Sequence, residues 1–330
     1  MSNVEIKMTN EGRNQNDECR IAIGHASHNC LLPTAYCLLP TANCQLTTFP
    51  AMHNLTAYLR VLLIFARNSL VRDMTFRANF IIETVSSLGW MAMNLGFYVL
   101  IFQYTPMIGP ASAGWGKYEF FAFLSTTLLV NSIVQALFMT NADEFSELIR
   151  TGNLDFALLK PIDTQFLVSL QRVDWSSLSN FVFGCGLLAF SLLKMAYHPT
   201  LLQALLYPLY VLAGVAILYS LMISLAATSI WLGRNQTLYD FWFYITNFSR
   251  YPMEIYAGPV GKPLRQVFTF LIPVLVVVNV PARLLVRPLV LQNREDWLLP
   301  AFALLSTAVC LAGSRWVFHR ALESYRSASS

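Results

Sequence analysis

The residues best suited to ligate a metal cluster at the start of this sequence. Cys30, Cys37 and Cys44 recur every seven residues behind His25 and His28, and thiolates with imidazoles are what a structural zinc site takes. The segment around them argues against that use. It repeats CysLeuLeuProThrAla at 30–35 and 37–42, holds Pro33, Pro40 and Pro50, and shows no amphipathic period, so residues 1–51 read as a low-complexity, disordered segment. No apolar signal-peptide core interrupts it, and Met52 offers an alternative translation start. Elsewhere His198 and His319 fall at opposite ends of apolar runs, whereas an enzyme embedded in a membrane needs its catalytic groups at one depth. Cys185 and Cys310 stand in separate apolar runs and read as small buried hydrophobes. A GxxxxGK[ST] phosphate loop is missing; its nearest fragment, Gly114 to Lys117, lacks the first glycine and the spacing. The chain is therefore expected to be no enzyme and to bind no metal or cofactor itself.

Composition places the rest in a bilayer. Of 330 residues 55% are hydrophobic and 12% are charged, and mean hydropathy is +0.50, whereas soluble domains carry about a quarter charged residues. The net charge of +4 comes from arginines at the edges of apolar runs, where membrane anchoring accounts for them without nucleic acid.

Residues 52–330 thus read as one all-α integral membrane domain of six crossings. Leu55–Asp73 sets Arg60 and Arg67 on nearly one side of a helix and Leu and Phe on the other, the pattern of a helix lying in the interface. Phe80–Phe102 and Tyr118–Met139 are long enough to span, since about twenty apolar residues cross the hydrocarbon core. Glu83, the one charge in the first, stands near its end, where snorkelling or a pair with Arg77 is expected. Trp175–Leu193 makes a third span and Leu201–Leu232 a long, tilted fourth. In the fourth, Ala216, Ser220, Ser224 and Thr228 form a small-residue helix-packing stripe. Trp297–Phe318 is the last span. Before it, the short uncharged run Val267–Ala282 contains Pro273 and Pro281, so a hairpin entering and leaving from one side competes with a fifth crossing. Asn94, Asn131, Gln135 and Asn180 either line a path or bond across helices.

Orientation follows the basic residues. With the N-terminus inside, Arg60, Arg67, Arg72, Arg77, Arg150, Lys160, Arg172, Arg234, Arg315, Arg320 and Arg326 are cytoplasmic, and Lys117 and Lys194 are outside. Arg250, Lys262, Arg265, Arg283, Arg287 and Arg294 conflict with this. Either Val267–Ala282 spans and part of that charge is inside, or a basic external hairpin exists; both give six crossings and a cytoplasmic C-terminus, in a plasma or inner membrane.

Between the second and third spans lies a polar island, Thr140–Arg172. Asn141 and Glu144 have the spacing of an N-cap with its reciprocal glutamate, Gly152 stands where a helix ends left-handed, and Arg150 suits the last turn. Pro161 stops the following segment, and Asp163 or Thr164 can cap the helix that leads to the third span. Leu148, Ile149, Leu154, Phe156, Leu158 and Leu159 give the island an apolar face. At these residues the sequence resembles the permease subunits of ABC-2 type ATP-binding cassette transporters, through ELIRTGNLDFALLKP at 147–161. A looser likeness runs through YPMEIY at 251–256 and LIPVLVVVNVPA at 271–282.

The resemblance covers about Leu55 to Arg320. It implies an N-terminal interfacial helix, six transmembrane helices, a cytoplasmic coupling helix and a re-entrant hairpin before the last span. It also implies two partners, a separate ABC ATPase subunit that uses the ATP and a second permease subunit, as homodimer or paired permease. The ATPase-coupling contacts would be Glu147, Arg150, Asp155 and Lys160, with Gly152 and Pro161 setting the shape. Export of a hydrophobic or amphipathic compound is the family expectation. An ATP-independent secondary transporter is the alternative; midspan ionisable groups or inverted repeats would favour it, and neither is clear here.

Overall fold

The computed structural model describes residues 55–110, 114–232, 243–287 and 294–325, all within the unit Phe49–Ser330. The cysteine and histidine residues of 1–51, Arg234 and Arg326 lie outside the described residues. Among those described, five helices are long and apolar enough to cross a membrane. A sixth crossing arises if a helix pair bent by 88° counts as one span.

Helix α1, Leu55–Thr75, breaks at Phe76 before α2, Arg77–Tyr104. No residue of α2 is buried; it leans on its neighbour through Tyr98 and Phe102, whose rings meet Phe120 at 4.7 and 5.7 Å. Glu83 accepts a 2.7 Å hydrogen bond from Asn79 Nδ2, while Arg77 Nε donates to the Met74 carbonyl. The expected Glu83–Arg77 pair is replaced because Asn79, four residues back, shares Glu83's face and Arg77, six back, does not.

A two-residue hairpin, β1 Met107–Ile108 with β2 Trp115–Gly116, turns the chain. The second span then runs on without a break: α3 Lys117–Val134, one π-helical turn Gln135–Met139, and α4 Thr140–Arg150. Short α5, Leu154–Leu158, and α6, Thr164–Leu170, follow, and α7 spans Leu178–Met195. Thr200 and Gln203 cap one another at the start of α8, Leu201–Ala227. Helix α9, Ser229–Leu232, ends that run.

After 3-10 turns at Phe248–Arg250 and Met253–Ala257, α10, Gly261–Gln266, passes through a π turn, Val267–Leu271. It bends at Ile272 and Pro273 into α11, Val274–Val286. The last helix, α12, is Arg294–Ser324. Helix α11 is the centre of the bundle. It is buried along nearly its whole length and packs on α8, α3 and α12.

Along the small-residue stripe, Ser220 is buried and Ala216, Ser224 and Thr228 are half-buried. Their hydroxyls bond within their own helical run: Ser220 Oγ donates to the Ala216 carbonyl, Ser224 Oγ to Ser220 and Thr228 Oγ1 to Leu225. A close backbone approach falls at Gly214 of α8, where a Cβ would stand 2.7 Å from the Val277 carbonyl oxygen of α11. Cys185 and Cys310 depart from the expected burial: the first is exposed, the second half-buried. An apolar run in a membrane protein can face lipid as well as core, and Cys185 is on the outward side of α7. Gly214→Ala is expected to destabilise by about 1–3 kcal/mol in denaturant unfolding of the detergent-solubilised protein. Gly186→Ala, with nothing within 4 Å of its added Cβ, should leave the midpoint unchanged or raise it slightly.

Candidate functional site

Thr140–Arg172 folds into a knuckle at one end of the bundle. Asn141 is no N-cap. Its residue sits inside the continuous helix and is buried, because the second span never unwinds before it. Its amide clasps the Arg172 backbone from both sides: Asn141 Nδ2 donates to the Arg172 carbonyl at 2.7 Å and Oδ1 accepts from Arg172 N at 2.8 Å. Glu144, read as the reciprocal cap, pairs with the Arg172 guanidinium at 2.7 Å. Gly152 does adopt the left-handed conformation that ends α4, with φ +73°. Asp163 caps α6 through Phe166 N at 2.9 Å, although α6 stops at Leu170 and does not run into the third span.

The six residues expected to contact an ATPase are divided by the structure. Glu147 and Arg150 pair with each other on the exposed side of α4. Asp155 is half-buried beside Tyr325. Lys160 and Pro161 are exposed. The apolar face is divided too. Leu154 is buried, whereas Phe156 of α5 and Leu159 just past its end are 67% and 80% exposed, so the knuckle that carries the Glu147–Arg150 pair also exposes two large apolar side chains.

The knuckle is tied to the spans by polar links. Arg315 of α12 grips both oxygens of Asp163 and also donates to Gln165 Oε1 at 3.0 Å. Gln165 Nε2 and Ser169 Oγ in turn meet the Tyr219 hydroxyl of α8 at 3.1 and 2.9 Å. Burial pushes the Asp163 pKa up, but hydrogen bonds from Arg315 and Phe166 N and the Arg315 charge outweigh it, so the group titrates below its ordinary 3.8.

The four span amides that sequence reasoning left between two uses meet in one place. Asn94 of α2, Asn131 of α3, Gln135 of the π turn and Asn180 of α7 all line a cleft of about 210 Å³ with Arg250 and Tyr251. Ser87 Oγ donates to Asn180 Oδ1 at 2.8 Å and Asn94 Nδ2 to the Trp90 carbonyl. Among the described residues the Asn131 and Gln135 side chains have no such bond. Arg250, legible beforehand only as part of the topological conflict, is half-buried with its guanidinium 5.6 Å from the Phe243 ring centre. Burial lowers its pKa, yet an arginine stays charged. An apolar cavity of about 500 Å³ adjoins the cleft across Leu95 and Phe183, with Lys117 at its rim.

The basic stretch before the last helix is organised around one carboxylate. Glu254 is buried and pairs with Arg283; Arg287 lies 3.9 Å away. Asn279 Oδ1 accepts from Met253 N at 2.8 Å and holds the same loop on α11. The Arg287 guanidinium stacks on the buried Trp115 ring at 5.3 Å.

Apolar helices enclosing a polar cleft, with an ordered knuckle at one end, define a multi-pass membrane permease. The family described as ABC-2 family transporter protein matches residues 88–329, and the chain belongs to it, as the permease component of an ATP-binding cassette transporter. No curated protein and no solved structure matches the chain.

Removing one member of a buried ion pair leaves the other charge uncompensated, so Glu254→Gln is expected to cost about 3–5 kcal/mol, read by denaturant unfolding in detergent. For Asp163 the native pKa is depressed, so its stabilisation is complete above the ordinary carboxylate pKa and is lost as pH falls through the native value. The unfolding midpoint should drop on acidification below about pH 4, and Asp163→Asn should remove part of that drop and lower stability at neutral pH.

Proposed function

We propose that this chain is the membrane-spanning subunit of an exporter of amphipathic compounds, driven by a separate ATPase subunit that docks on residues 141–161. The observation that carries the reading is that one knuckle exposes both Phe156 and Leu159 and the Glu147–Arg150 pair, the latter at the end of a helix continuous with the second span. Two large apolar side chains in the aqueous phase cost solvation, and a groove in a partner would recover it. Motion of the docked partner would pass through α4 and the π turn to Asn131 and Gln135 in the cleft, while α6 would carry it to α8 and α12.

In this reading ATP is bound and hydrolysed by the partner, and no catalytic residue, metal or cofactor belongs to this chain. The knuckle and both termini face the cytoplasm of a plasma- or inner-membrane protein. Helix α1 lies in the interface, and α10 with α11 forms a re-entrant hairpin, so that termini on one side require one further crossing between α9 and Tyr251 besides the five long helices. The 88° bend at Ile272–Pro273 supports the hairpin, as does the burial of α11, because non-helical backbone at membrane depth is tolerated only inside protein. A second permease subunit, identical or related, would complete the pathway; the outward face of α2, with Trp90, Met93 and Phe97, is available to it. Two family properties, ATP dependence and a coupling segment between the second and third spans, favour this over a secondary transporter.

Co-expression with candidate ATPase subunits tests it. Phe156→Asp with Leu159→Asp should abolish co-purification of the ATPase and ATP-driven export from vesicles while leaving the unfolding midpoint intact. Glu147→Arg with Arg150→Glu, which keeps the internal pair but reverses its direction, should weaken both at least tenfold. Full transport by either variant would sink the docking idea.

A further inference from the structure

Among the described residues the polar cleft is charged at one point: its wall contains no described Asp or Glu, and Arg250 is the one described ionised side chain. Three arginines elsewhere in the bundle have carboxylates: Arg172 has Glu144, Arg283 has Glu254, Arg315 has Asp163. Arg250 has no carboxylate oxygen within 4.0 Å among the described residues. A half-buried cation with no counter-ion has already lost much of its hydration, so an anion entering beside it gains attraction at low screening. The amides of Asn131 and Gln135 add hydrogen-bond donors that the described protein does not use. Along α2 the cleft extends from Ser87 to Tyr98, about 16 Å at 1.5 Å per residue. Beyond Leu95 and Phe183 lies the larger cavity, walled by Val99, Phe121, Leu187 and Phe190.

A charged polar compartment joined side by side to an apolar one is complementary to a molecule with an anionic head and a hydrocarbon tail. We propose that the cleft between α2, α3 and α7 binds an anionic amphiphile, its phosphate, sulfate or carboxylate group at Arg250 and its apolar part in the adjoining cavity. This rests on the export reading and narrows its substrate class.

The full-length chain, in nanodiscs of zwitterionic phosphatidylcholine, would be titrated with dodecyl phosphate while tryptophan fluorescence is followed, since Trp90 lines the cleft. Saturable binding is expected. Arg250→Gln should weaken it at least tenfold, Arg250→Lys should restore most of it, and Lys262→Gln, at an exposed residue of α10 outside both compartments, should leave it unchanged. Dodecanol, with the same chain and no charge, should show no saturation. Inorganic phosphate alone should compete only at concentrations at least a hundredfold higher, which distinguishes an amphiphile site from a simple anion site. Asn131→Leu, which keeps the guanidinium, should also weaken binding and serves if Arg250→Gln lowers the melting temperature. Equal affinity in wild type, Arg250→Gln and Asn131→Leu would overturn the proposal, as would an equal loss in Lys262→Gln and Arg250→Gln, which would indicate attraction to net charge alone. Failure of the ATPase to co-purify would count against the export reading and leave the binding result standing; unchanged binding in the Arg250 and Asn131 variants would do the reverse.

Discussion

Non-helical backbone beside membrane spans must find every hydrogen-bond partner within the protein, and the segment from Gln171 to Ser177 is where this chain meets that constraint. Arg172 is clasped by Asn141, Val173 N donates to Ser69 Oγ at 3.0 Å, and Asp174 N donates to the Ala136 carbonyl at 2.8 Å. Trp175 Nε1 reaches the Ala66 carbonyl at 3.0 Å. The partners come from two stretches, α1 and the second span, so the segment, which leads into α7, fixes all three relative to one another. The π turn is part of the same solution: one extra residue in the helical ring frees carbonyls from the usual ladder, and the Ala136 carbonyl within it takes the Asp174 donor.

That π turn also carries Gln135 into the cleft. The wider hydrogen-bonded ring that accommodates Asp174 therefore sets where one of the cleft's amides lies, and a shift at the knuckle cannot leave the cleft untouched. Two further links run in parallel. Phe145 of α4 packs its ring 5.7 Å from Phe318 of α12, and Ser146 shares a hydrogen bond of 3.1 Å with Ser229 of α9. The knuckle is thus bonded to several spans at once. Helix α2 has no buried residue, and it is the wall of the cleft with the weakest hold on the bundle.

Much of the architecture was legible from residue order. Apolar run lengths placed the long spans, Gly152 announced its left-handed turn, and Asp163 announced its cap. These succeed because the determinant is local. Asn141 misled for an equally physical reason. Asn-x-x-Glu satisfies backbone donors at a helix start, but the same side chains inside a helix are free to bond elsewhere, and their partner Arg172 is 31 residues away. The basic stretch from Arg250 to Arg287 looked like a topological conflict because the sequence shows the arginines as a cluster and does not show that Glu254 folds between two of them. Asn94, Asn131, Gln135 and Asn180 could be recognised singly; their convergence depends on how three helices pack, which no periodicity encodes.

The unbroken helix from Lys117 to Arg150 has 34 residues, about 50 Å at 1.5 Å per residue, against a hydrocarbon core of about 30 Å. Roughly 20 Å of rod must therefore stand clear of the acyl chains. In the proposed orientation, with its other end at the Trp115 hairpin, that overhang is a lever arm whose tip, Arg150 and the turn at Gly152, stands past the headgroup layer, where a docked ATPase would push on it without displacing a single lipid.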